Sequence, residues 1–156
     1  MPERMPERLH IAPFAAQDIC EIVPNAAQQR WLADVGEALT LDYGIELLRA
    51  GPAWTVRAAD TGRIVLVGGF RVLFAQGHVE AWSFVADPVG PLHVALTRAV
   101  RAHLAGASYR RIEALIDARV PAAARWADLL GFALAARLRK WGPAGTDHLL
   151  YDRVAP

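Results

Sequence analysis

Glu80 stands in the run HVEAWSFVA, a carboxylate among apolar residues. Burial on such a strand disfavours the charged form, so the carboxyl can titrate high enough to act as a general base. The alternative is a strand-edge carboxylate paired with an arginine. His78, two residues earlier, is a second candidate base or else a surface histidine at a strand start. Downstream lies Asp87-Pro88-Val89-Gly90-Pro91-Leu92-His93, a tight turn running into a helix. The start of a helix offers unpaired N–H groups and the positive end of its dipole, so it can hold an anion. The donors there would be Val89, Gly90, Leu92 and His93, since Pro91 has no N–H to give. The His93 ring could add a further donor to a phosphate, or be an ordinary exposed helical histidine. Trp82 and Phe84 read as walls of a cleft or of the core. His10, His103 and His148 have neither a cysteine nor a second histidine at ligand spacing, so no metal site is expected. Ser83 and Ser108 sit in no nucleophile-elbow context.

The elements that would position these residues are legible. Leu9 to Phe14 predicts a first strand. Three short helices follow: Ala15 to Val23, a helix capped by Asn25 and running to Gly36 with Trp31, Leu32 and Val35 on one stripe, and about Asp42 to Ala50 with Leu41, Ile45 and Leu48 inward. A meander comes next, with strands at Ala53–Ala59, Arg63–Phe74 and His78–Ala86 and turns at Asp60-Thr61-Gly62 and Gln76-Gly77. The Gly68-Gly69 pair predicts a bulge or a close backbone approach. On the fourth strand Val79, Ala81, Ser83 and Val85 share one face, and His78, Glu80, Trp82 and Phe84 the other. Both faces are largely apolar, as on a central strand covered on both sides. Pro91 opens a helix whose stripe is Leu92, Leu96, Ala99 and Leu104, stopped by Gly106. Arg111 to Asp117 predicts a fifth strand parallel to its partner. Pro121 opens a last helix, with Trp126, Leu129 and Leu130 inward and Gly131 at its C-cap. Phe132–Trp141 and Thr146–Val154 predict an antiparallel hairpin, and Asp147-His148 near Asp152 a solvated strand end.

The length, 156 residues, suggests one domain, and 54% hydrophobic residues are enough for a sizeable core. With 17 basic and 16 acidic residues, neither a nucleic-acid nor an acidic-membrane partner is expected. The single cysteine, Cys20, excludes an intrachain disulfide, and its neighbours Ile19 and Ile22 predict a packed thiol. The opening MPERMPER is a four-residue direct duplication, read as an extension or scar outside a domain spanning 9–156. Glu3 and Glu7 interrupt the N-terminus, so no signal peptide is expected, and no apolar run reaches membrane-spanning length. A cytoplasmic protein is the default.

The order β-α-α-α-β-β-β-α-β-α-β-β resembles the GNAT N-acetyltransferase family from about Leu9 onward. Two segments carry it most closely: AAARWADLLGF (122–132), similar to the family's helix and Gly-Phe before the sixth strand, and TDHLLYDR (146–153), similar to its closing strand. The resemblance implies an α/β (α+β) fold, with a mixed, mostly antiparallel sheet of six to seven strands. Helices would cover both faces, and the sheet would be splayed between strands 4 and 5. It also implies acetyl-CoA as co-substrate. Its pantetheine arm would pair with fourth-strand backbone at Phe84 and Val85, and its pyrophosphate would sit on the amides of Val89, Gly90, Leu92 and His93. Arg98, Arg101, Arg110 and Arg111 could touch the 3′-phosphate of a coenzyme A, or simply solvate a helix. Glu80 falls where many members carry a glutamate that deprotonates the amine through water.

Several residues depart from the family pattern. Against Gln/Arg-x-x-Gly-x-Gly/Ala, the turn Asp87 to Leu92 keeps only Gly90. Asp87 repels a pyrophosphate, Pro91 removes a donor, and Leu92 crowds the phosphate. The tyrosine that serves the family as general acid is replaced by Ala127. Tyr151 is the candidate stand-in, against ordinary packing of a satisfied phenol. The implied function is acetyl transfer from acetyl-CoA to a small-molecule or peptide amine, with a homodimer allowed. The alternative is a non-catalytic GNAT-like structural or interaction protein of phage or prophage type, which would place it in a virion.

Overall fold

The computed structural model describes residues 8–156, so the opening repeat up to Glu7 lies outside the described residues. The elements are β1 (Leu9–Pro13), α1 (Asp18–Glu21), α2 (Ala26–Val35), α3 (Leu41–Ala50), β2 (Ala53–Ala58), β3 (Ile64–Phe74) and β4 (His78–Val85). A 3-10 turn (Gly90–Leu92) then leads into α4 (His93–Ala105), followed by β5 (Arg111–Asp117), α5 (Pro121–Leu129), β6 (Ala133–Leu138) and β7 (His148–Val154). All seven strands form one sheet in the order β1-β2-β3-β4-β5-β7-β6. Every pairing is antiparallel except β4 with β5, which the crossover through α4 forces to be parallel. No helix among the described residues is long and apolar enough to cross a membrane.

Helices α1, α2 and α3 cover one face through Ile19, Ile22, Leu32 and Leu47, packed on Ile64, Val67 and Phe84. Helices α4 and α5 cover the other through Leu96, Leu104, Ala127 and Leu130. The alternation read along β4 holds: Trp82 and Phe84 belong to the first cluster, Val79 and Ala81 to the second. Helix α1 has one turn and no intrinsic stability. It is fixed by Asp18, whose carboxylate accepts from the Ala15 N–H (3.0 Å), the buried Thr55 hydroxyl (2.7 Å) and Arg57 (3.1 Å).

Four expectations need correction. Helix α3 turns Gly44 and Leu47 inward, while Leu41 and Leu48 are exposed. The reason is close packing on α1, which only the glycine allows: a Cβ on Gly44 would collide with the Ala16 carbonyl oxygen. Leu129 on α5 is exposed, because Ala127 and Leu130 take the inner face. Cys20 is exposed, although its neighbour Ile19 is fully buried. His148 is not a solvated strand end but 3% exposed, walled in by Trp31 and Trp141. Of the two roles expected of Gly68-Gly69, close backbone approach is the one found, Gly69 lying against Pro52 and Ala53, and the bulges lie at Val56/Arg57 and Val72/Phe74.

Candidate functional site where β4 and β5 part

Strands β4 and β5 pair over three rungs only: His78 with Arg111, Val79 with Ile112, and Glu80 with Glu113. Beyond Glu80 they separate. Each is held on its outer side, β4 by β3 from His78 to Val85 and β5 by β7 along its whole length, so the gap cannot be closed by sliding one strand. Antiparallel pairing turns alternate peptide groups toward the partner. The Ala86 N–H donates to Val65 on the β3 side. Phe84 has the same parity and also turns its peptide groups to β3, while those of Ser83 and Val85 face the gap. The polar backbone of Val85 therefore faces the gap, and that of Phe84, expected beside it, does not. Phe84 contributes a buried ring packed on Tyr43 and Trp82.

The edge facing the gap is not bare. The Gln28 side chain accepts from the Val85 N–H (2.8 Å) and donates through Nε2 to the Ser83 carbonyl (2.8 Å). Asn25 donates to the Val85 carbonyl from its backbone N–H (2.9 Å) and from Nδ2 (3.3 Å). The other end of α2 reaches past β5. Asp34 meets Arg119, which also binds Asp117, and Trp31 stacks on Trp141 with ring centroids 6.5 Å apart. Helix α2 thus lies across the gap, tied to β4 at one end and to the end of β5 and the β6–β7 connection at the other.

Glu80 occupies the last paired rung, at the foot of the gap, on the α1–α3 face. Its side chain is 21% exposed, and its ionic partner is Arg71 at 3.8 Å. The arginine pairing named as the alternative is present, in a loose form. His78 is engaged with Glu113 (2.9 Å), which Arg111 also binds (2.8 Å), and Arg111 reaches on to Asp152 (2.8 Å). Burial works to raise the Glu113 carboxyl, but the hydrogen bond from Arg111 and the His78 ring beside it outweigh that and hold it below the usual carboxylate range. A carboxyl lowered in the folded state stabilises the fold above its unfolded pKa and loses that contribution as pH falls through its folded value. The wild-type thermal midpoint should therefore drop more steeply between about pH 5 and 3 than that of Glu113→Gln. Parallel curves from calorimetry across that range would refute the assignment.

At the turn, the Leu92 N–H donates to the Val89 carbonyl (3.2 Å) and the His93 N–H to that of Gly90. The 3-10 turn thus spends two of the four donors expected for an anion, leaving Val89 and Gly90. Gly90 adopts φ +55°, which favours glycine. The His93 side chain is exposed. Asp87 is exposed as well, and the Arg63 guanidinium lies close by, donating to the Pro88 carbonyl (2.8 Å). Arg63 escaped the sequence reading because it belongs to the β2–β3 turn, remote in sequence. Tyr151 is 5% exposed, on the α4–α5 face, in the same cluster as Ala127. Burial, with a smaller push from the Asp128 charge, raises its phenol above the usual tyrosine value, so it stays protonated.

Neither a family model nor a curated protein matches the sequence. Solved structures match over nearly the whole chain. An acetyltransferase of the GNAT family from Bacillus anthracis aligns with a TM-score of 0.70 at 15% identity, over 95% of this chain and 95% of its own. A mutant spermidine N-acetyltransferase SpeG from Vibrio cholerae gives 0.65 at 14% identity, over 94% of each chain. A Streptococcus mutans protein gives 0.67 at 20% identity, over 93% of this chain and 98% of its own. Similarity at this level speaks to architecture rather than to substrate. With its single parallel junction between β4 and β5 and its helices on both faces, this chain has the GNAT acetyltransferase fold.

Proposed function

We propose that this chain is an acyl-CoA-dependent N-acyltransferase that passes an acetyl group from acetyl-CoA to an amine. The observation that carries the reading is the parted pair β4 and β5, with the Ser83 carbonyl and Val85 N–H turned into the gap. A C=O and an N–H two residues apart on a strand edge pair with successive amides of an extended arm as with a neighbouring strand. They would hold the amide arm of the donor. Val89, Gly90 and the nearby Arg63 would receive its phosphates, with Asp87 opposing them. Acetyl-CoA, once bound, supplies an activated thioester.

Glu80 would act from the foot of the gap, about 10 Å along the strand from Ser83. Its carboxylate takes a proton from the ammonium of the acceptor, through water, and frees the lone pair that attacks the thioester carbonyl. The new C–N bond forms as the C–S bond breaks, the sulfur leaves with its electron pair, and the second proton released by the nitrogen passes to that thiolate or to water. A thiolate leaves well without protonation, so Ala127 in the place of an acid is tolerable, and Tyr151 on the other face is a reserve proton donor. The acceptor would approach from the α1–α3 face, where the Glu80 side chain points.

One observation favours a second reading, a GNAT-fold protein that binds a partner without catalysis: Asn25 and Gln28 already hold the β4 edge. Calorimetric titration with acetyl-CoA, coenzyme A and 3′,5′-ADP separates the two. Micromolar binding shared by acetyl-CoA and coenzyme A is expected. No heat and no thermal stabilisation at millimolar ligand would sink the enzyme and leave the second reading.

A further inference from the structure

The bonds made by Gln28 are those of an amide, not of a generic polar side chain. Its Oε1 takes the Val85 N–H and its Nε2 gives to the Ser83 carbonyl, both at 2.8 Å. A carboxamide set this way reproduces the N–H and C=O that one residue of an added strand turns to its neighbour, a donor and an acceptor that belong to two successive peptide groups. The sequence Asn25-Ala26-Ala27-Gln28 would ordinarily turn this glutamine back on the start of its own helix as a capping box. Here Asn25 caps the helix through Oδ1 to the Gln28 N–H (3.1 Å). The N–H of Asn25, which the glutamine would otherwise satisfy, goes to Val85 instead. The Gln28 side chain is thereby released to reach across 57 residues of sequence to β4.

We infer that Gln28 is a gate residue, its carboxamide holding the β4 edge in the place of a ligand amide and leaving when an amide-bearing arm enters. This rests on the proposed function for the identity of the arm. The helix carrying Gln28 has reason to stay put. Its first turn is capped by Asn25, and its far end is tied by Asp34 to Arg119 and by Trp31 to Trp141 and His148. What moves is the glutamine side chain, by rotation about its own bonds. A site that must first be vacated binds more weakly in proportion to the fraction of molecules already open. The two neutral hydrogen bonds to β4, beside a longer one that Oε1 accepts from Asn25 Nδ2 (3.2 Å), put that penalty at about tenfold.

The test compares wild type with Gln28→Ala in titrations with coenzyme A, pantetheine and 3′,5′-ADP. Alanine keeps the helix, since it is the best helix former. Coenzyme A and pantetheine should bind about tenfold more tightly to the variant, which corresponds to about 1.4 kcal/mol. 3′,5′-ADP, which has no amide arm, should bind both proteins alike. Equal or weaker binding of coenzyme A by the variant would overturn the gate while leaving the proposed function intact. Absence of binding to either protein would overturn the proposed function, and the gate with it. A second readout needs no variant: the side-chain NH2 resonances of Gln28 in wild type should move toward solvent-exposed values on saturation with pantetheine. Resonances unchanged in the saturated protein would also overturn the gate.

Discussion

Glu80→Gln is expected to lower kcat for acetyl transfer by about 10²- to 10⁴-fold, the usual contribution of a positioned general base. The substitution keeps size and shape and removes only the capacity to accept a proton. Its effect on folding should be small. The partner Arg71 lies 3.8 Å away with half of its side chain exposed, and pairs of this kind contribute below about 1 kcal/mol. The informative result is therefore a collapse of kcat with acetyl-CoA affinity and thermal midpoint nearly unchanged. A variant within about fivefold of wild type would remove Glu80 from the chemistry, since a general base contributes far more than that. His78 would not then be the natural replacement, because it is already bound to Glu113.

The second large effect concerns the scaffold. Gly44→Ala sets two terms against each other. Alanine favours a helix interior over glycine by about 1 kcal/mol. The added methyl would meet the backbone of Ala16, with its carbonyl carbon 2.9 Å away and its oxygen closer still, and Ile19 at 3.0 Å. Backbone cannot swing aside as a flexible side chain can, so α3 would have to lift from α1. Overpacking of this kind costs about 3 kcal/mol and outweighs the propensity gain. The net loss of about 2 kcal/mol should lower the thermal midpoint of a chain of this size by roughly 4–8 °C. A midpoint at or above wild type would mean that α1 and α3 are less tightly seated than their contact suggests. The same variant should weaken any acceptor binding on that face, because α3 helps to cover the side to which Glu80 points.

Much of the fold was legible because its signals are local. Gly and Pro mark the turns at Gly51-Pro52, Gly62 and Gly90-Pro91, and Asn25 marks the start of α2. The two-residue alternation of β4 assigned its faces correctly. Helix faces were harder. The apolar residues of α3 surround much of its circumference, and hydrophobicity could not rank Leu41, Ile45 and Leu48 below Gly44 and Leu47. Only the approach of α1 decides between them, through a residue that carries no hydrophobic signal at all. His148 was misplaced for a related reason, since its burial comes from Trp31 and Trp141, one on a helix more than a hundred residues away.

By itself the sequence determined the order of elements, the turns between them, the two-sided burial of the central strand and the parallel sense of β5. Each follows from backbone preference or from side-chain periodicity within one or two turns of chain. Only the tertiary structure decided which backbone groups face the gap where β4 and β5 part, and what occupies them. That Val85 offers its N–H to the gap depends on its register with β3. That Gln28 takes it depends on α2 lying across the gap. A hydrogen bond between residues 57 positions apart leaves no mark on local periodicity, because it is fixed by the packing of whole elements rather than by the preferences of either residue.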